Sequence, residues 1–111
     1  MILFIDTTNF EQLTYATVGE KVLKKTYKLD AHRSHGMLGF LEKFLHQSKI
    51  SNHKSKISKI VTCKGPGSYT GTRIGVTHAL ALGFAWNVPV KFLEKTKFDG
   101  ELQKQINSKK T

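Results

Sequence analysis

An apolar run rich in β-formers, Ile57 to Cys63, is joined to a long helical pattern, Arg73 to Trp86, by Gly65-Pro66-Gly67-Ser68-Tyr69-Thr70-Gly71-Thr72-Arg73. Glycine at a strand–loop–helix switch lets the backbone approach another group closely, and a helix start offers unpaired N–H donors that favour anions. The chemistry this points to is phosphate binding, with Asp6, Ser68, Thr70 and Arg73 as candidate contacts. The spacing is not that of a Walker A loop. Five residues separate Gly65 from Gly71, and Thr72-Arg73 stands where Lys-Ser/Thr is required. A tight turn with Ser68 or Thr70 capping the following helix accounts for the same residues. Arg73 suits a phosphate, a partner carboxylate or the loop carbonyls equally well.

The other chemistry-bearing residues are sparse. Asp6 ends the first apolar run and is followed by Thr7-Thr8, with no second acidic residue near enough in sequence for a two-carboxylate metal site. Turn formation or capping is the expected role. His32 and His35 have metal-pair spacing on a helix but no assignable third ligand, so they are expected at the surface or a helix end, and no metal or cofactor is expected. His46, His53 and His78 have no triad companions that would make Ser68 a nucleophile. Cys63, the only cysteine, closes an apolar strand and reads as a buried small hydrophobe.

The elements that must position these residues follow from periodicity. Met1 to Asp6 is a first strand, and Leu13–Val18 and Lys21–Tyr27 flank Gly19-Glu20 as an antiparallel hairpin. From Ser34 the period becomes helical, with Met37, Leu38, Phe40, Leu41, Phe44 and Leu45 covering a face broader than one core contact needs. In the next helix Gly71, Gly75, Ala79 and Gly83 recur every fourth residue, a ridge open to close approach by the sheet or by a partner helix. Asn87-Val88-Pro89 ends that helix, and Val90–Leu93 reads as strand five. The order β-β-β-α-β-α-β implies an α/β fold, a mixed five-stranded sheet with helices packed on it. Residues 1–95 form this unit, and 96–111 a polar basic tail with a short marginal helix carried by Phe98, Leu102 and Ile106.

The whole chain has 111 residues, enough for one domain and one core. Its net charge of +10 favours RNA, DNA or an acidic surface through long-range attraction. Only Arg33 and Arg73 are arginines, however, so the arginine fork common in nucleic-acid recognition is nearly absent. No apolar run approaches the ~20 residues of a membrane span. A cytoplasmic chain without membrane attachment is expected.

Ile5-Asp6-Thr7-Thr8, Arg33-Ser34 with Met37-Leu38, the glycine segment through Ile74-Gly75, then Ala79-Leu80-Ala81-Leu82 and Asn87-Val88-Pro89 resemble the TsaB (YeaZ) family in order and spacing. His35 stands where members commonly carry glutamate, and Gly39 where they carry proline. The resemblance implies one lobe of an actin-like, Hsp70-like ATPase (ribonuclease H-like) fold, matching the amino-terminal lobe only. It also implies a place in the system that makes threonylcarbamoyladenosine beside the tRNA anticodon. There a TsaD-type subunit is catalytic, a TsaE-type ATPase is a further member, and the TsaB-type protein is a non-catalytic partner that meets tRNA only indirectly. Pairing in the family runs through two helices, here about 34–48 and 72–86. The implied interface residues are Met37, Phe40, Leu41, Phe44, Gly71, Gly75, Ala79 and Gly83. Without a partner, the same surface implies a homodimer. Two other functions remain consistent with the sequence: a small phosphate- or nucleotide-binding enzyme using the glycine loop, and a lysine-based RNA-docking module.

Overall fold

A computed structural model describes residues 1–8, 12–19, 22–28, 41–45, 57–66 and 69–109. Along the chain run β1 (Ile2–Asp6), β2 (Gln12–Val18), β3 (Val22–Lys28), a helical stretch at 41–45, β4 (Lys59–Cys63), α1 (Tyr69–Trp86), β5 (Val90–Leu93) and α2 (Lys95–Lys109). The strands form one five-stranded sheet in the order β3-β2-β1-β4-β5. β2 is antiparallel to both β1 and β3, whereas β4 is parallel to both β1 and β5. The mixed sheet expected from the element order is therefore present. Val18 lies opposite Val22, so the connection is three residues long rather than the two expected from Gly19-Glu20.

Side chains alternate across the sheet and divide the core in two. Leu3 and Ile5 of β1, Leu13 and Tyr15 of β2 and Ile60 of β4 face one way. They pack with Leu41, Phe44 and Leu45 and with Ala79 and Leu82 of α1. Phe4, Ala16, Val18, Val61 and Cys63 face the other way and are covered by Phe98 and Leu102 of α2, with Ile106 at the margin. The Phe4 and Phe98 rings meet edge to face at 5.6 Å. Cys63 is buried, as its place in the apolar strand implied.

Two expectations are corrected by this packing. The carboxyl-terminal segment is a 15-residue helix that closes one face of the sheet, rather than a short marginal helix in a tail. Its three apolar residues suffice because they lie on one stripe against a ready-made sheet surface, and tertiary burial outweighs weak local propensity. α1 begins at Tyr69, four residues before Arg73, so Thr70 and Gly71 lie inside its first turn. Thr70 is thus not the cap residue, and Ser68 lies outside the described residues. At the other end Asn87 takes a left-handed φ of 54°, and Val88 N–H donates to the Gly83 carbonyl at 3.0 Å, stopping the helix.

Candidate functional site

Asp6 ends β1 on the face covered by α2, since it follows Phe4 in the alternation. Its Oδ1 accepts from Thr8 N–H at 2.9 Å and from the Thr8 hydroxyl at 2.6 Å, the Asx-type turn expected of an aspartate followed by threonines. Its Oδ2 is held by Lys95 Nζ at 2.6 Å. Burial alone would raise the Asp6 carboxyl. The Lys95 ammonium and the two Thr8 bonds outweigh that and hold it below the usual carboxylate value. Burial likewise opposes the charge on Lys95, but Asp6, with Asp99 at 3.4 Å, raises its pKa overall.

Lys95 also joins this carboxylate to the glycine loop. Its backbone N–H donates to the Gly65 carbonyl at 2.7 Å, and Gly65 has a φ of 109° that favours glycine. Lys95 therefore ties the ends of β1, β4 and β5 together, a role no local sequence signal announced. The contact spans 89 residues and exists only because β1, β4 and β5 are neighbours.

The phosphate candidates are divided by the sheet. Asp6 lies on the α2 side, whereas Arg73 belongs to α1 on the opposite side, and Thr70 is placed only as part of the α1 backbone. Arg73 is solvent-exposed. No group of three or more metal-ligating side chains occurs among the described residues. A polar groove of about 260 Å³ adjoins Asp6, between Gln12, Thr14, Lys24 and Thr26 of the hairpin and Lys95, Phe98, Asp99 and Leu102 of α2.

The small-residue ridge of α1 turns inward. A Cβ at Gly75 would collide with the Thr7 hydroxyl, and one at Gly83 with Val90 Cγ2. Ala79 is fully buried against the sheet. Gly75, Ala79 and Gly83, expected at a partner interface, are instead used within the domain. Leu41 and Phe44 are buried in the same core. Met37 and Phe40 lie outside the described residues, and Gly71 is placed only as part of the α1 backbone.

The outward face of α1 is the feature that sequence reading missed. Phe84 is 91% exposed and Leu80 50%, one helical turn apart, with Thr77, Ala81 and Ala85 exposed around them. In its 18 residues the helix carries one formal charge, Arg73. A surface helix ordinarily sets a polar face against its buried one. Here the apolar residues at 80 and 84 were legible, but the glycine ridge beside them drew attention to the face that the sheet occupies.

Between β2 and α1, the hydroxyl of buried Tyr15 and Nε2 of half-buried His78 are 2.8 Å apart. Burial pushes the imidazole down to about 4 and raises the phenol. The pair is a satisfied core contact.

With this geometry, comparisons with known proteins converge. The model of the family described as TsaD, tRNA N6-adenosine threonylcarbamoyltransferase, matches residues 28–97. The tRNA threonylcarbamoyladenosine biosynthesis protein TsaB of Bacillus subtilis (strain 168) is 35% identical over 89 residues, 80% of this chain and 38% of its own length. YeaZ from Pseudomonas aeruginosa superposes with a TM-score of 0.73 at 24% identity, over 84% of this chain and 43% of that one. The T. thermophilus RuvC in complex with a Holliday junction substrate gives a TM-score of 0.61 at 13% identity, over 86% and 64% of the two chains. The sheet and its helices are thus a ribonuclease H-like, actin-like arrangement. The chain spans about two fifths of the length of the TsaB and YeaZ proteins it matches.

Proposed function

Because the chain belongs to the TsaD family and is TsaB (YeaZ)-like within it, we propose that it is a non-catalytic subunit that docks on a TsaD-type protein in threonylcarbamoyladenosine synthesis on tRNA. The observation that carries this reading is the outward face of α1. Leu80 and Phe84 form an apolar strip on a helix whose other side is already packed on the sheet. Exposed apolar surface of this kind marks an interaction site. A large aromatic beside an aliphatic residue also suits the anchor of a helix–helix interface, where a few such residues carry most of the binding energy.

The non-catalytic part of the proposal draws on the state of Asp6. Its carboxylate is engaged by Lys95 and Thr8, leaving it poorly placed to hold a metal-bound phosphate. The partner surface lies on the other side of the sheet from Asp6, so docking through α1 leaves the Asp6 end of the chain uncovered.

The test is size-exclusion chromatography with light scattering, on the chain alone and mixed with the TsaD-type protein of the same organism. A one-to-one complex is expected in the mixture and a homodimer without the partner, with Phe84→Glu losing both. Persistent separation of two folded proteins contradicts the reading.

A further inference from the structure

We propose that the face of the sheet opposite the α1 strip, formed by β3, β5 and α2, is a docking surface for the phosphate backbone of a structured RNA. The inference goes beyond partner docking and does not depend on it. Strand alternation places Lys24 and Lys28 of β3 on this side, with Ala16 and Gln12 as their register partners. Lys91 of β5 joins them as the register partner of Val61. On the helix covering this side, Lys97 and Lys104 are exposed, as are the three strand lysines. Of the carboxylates on this side, Asp6 and Asp99 share the Lys95 ammonium, and Glu101 of α2, which accepts from Gln105 Nε2, is a counter-charge that the five exposed lysines outnumber.

The surface has the chemistry of a backbone reader. Positive charge is spread over both strand edges and a helix, while the groove beside Lys24 presents the Thr14 and Thr26 hydroxyls and the Gln12 amide. Thr14 Oγ1 and Thr26 Oγ1 stand 3.0 Å apart and are exposed, within reach of phosphate or ribose oxygens. Lysine supplies sequence-independent attraction through counterion release, and near-absence of arginine is compatible with that mode. A protein partner fits less well, because lysine is depleted in protein interfaces and, among the described residues, this side presents no exposed large hydrophobic anchor. Among the described residues, the exposed large hydrophobics Leu80, Phe84 and Phe92 lie on the α1 side, Phe92 being the register partner of Thr62 rather than of Val61. The same distribution disfavours a lipid surface, which needs apolar insertion beside the charge.

The experiment is fluorescence anisotropy of a labelled, unmodified tRNA transcript titrated with the full chain at several salt concentrations. Lys24→Glu and Lys24→Glu/Lys28→Glu are compared with Lys25→Glu, which matches the single Lys24→Glu variant in charge change and lies on the same strand but on the other face. The double variant is expected to weaken binding at least tenfold and to flatten the log K against log salt slope by ~2, for two lost phosphate contacts. Lys25→Glu should have a markedly smaller effect, and Phe84→Glu almost none. Matching thermal melts, with Lys24→Gln/Lys28→Gln as the milder variant, separate binding from folding. Salt-independent binding, equal loss in Lys25→Glu, or equal affinity for poly-glutamate of similar charge overturns the proposal. Binding to phosphatidylserine vesicles that matches the RNA does so as well.

Discussion

Asp6 and Lys95 show how differently two members of one contact can be read. The aspartate was legible because it ends an apolar run and precedes two threonines, and the turn it makes with Thr8 follows from that local pattern. The lysine was not, because its partner is remote in sequence and is reached only through sheet order. Since Lys95 is more than one-third exposed, screening limits the pair, and Asp6→Asn should cost about 1 kcal/mol at neutral pH. The Asp6 carboxyl is held below its unfolded value, so this contribution is present above pH 3.8 and is lost as pH falls through the folded value. Urea unfolding of the two proteins should therefore converge in acid. A gap unchanged through that range contradicts the ion pair. His78 has the same sign on a different window. Its folded value of about 4 lies below the ordinary 6.5, so stability should fall between those limits as the unfolded chain takes up a proton that the buried ring resists. An NMR titration of the ring should give a midpoint near 4, and one near 6.5 would contradict its burial. Tyr15→Phe removes the hydroxyl facing His78 Nε2 and should cost about 1–2 kcal/mol in urea unfolding.

Among the elements, α1 carries the main lesson. Its glycines promised close approach correctly, but the sequence left open what approaches, and the sheet takes that role through Thr7 and Val90. Gly75→Ala tests this with opposed signs. Helix propensity alone would stabilise by ~1 kcal/mol, whereas the collision with buried Thr7 should destabilise by more. A raised melting temperature would place the ridge away from the sheet. Phe84, by contrast, is exposed, and Phe84→Glu should leave the melting temperature nearly unchanged. α2 was underestimated because three apolar residues in a polar segment give a weak periodic signal, yet Phe98 and Leu102 fill the second core layer. Phe98→Ala should cost about 3–5 kcal/mol by denaturant titration. A surface-like loss below ~0.5 kcal/mol would detach the helix from the sheet.

At the scale of the molecule, the alternation of strand side chains produces two unlike surfaces. The α1 side presents exposed Leu80, Phe84 and Phe92, and the α2 side presents lysines around a polar groove. Net charge was visible in composition, but which lysines share the α2 side required strand register, since Lys24 and Lys25 are neighbours in sequence and opposite in space. The order of elements and the mixed character of the sheet were legible because a hairpin followed by alternating β and α units permits few topologies, whereas the parallel pairing of β1 with β4 is seen only in the structure. The most direct test of partner docking is isothermal titration of the TsaD-type protein with this chain, its Phe84→Glu variant and its Lys24→Glu variant. Saturable one-to-one binding that weakens at least tenfold in Phe84→Glu and stays within a few-fold in Lys24→Glu is the result predicted. Undiminished binding by Phe84→Glu, or no heat with a folded partner, would contradict docking through α1.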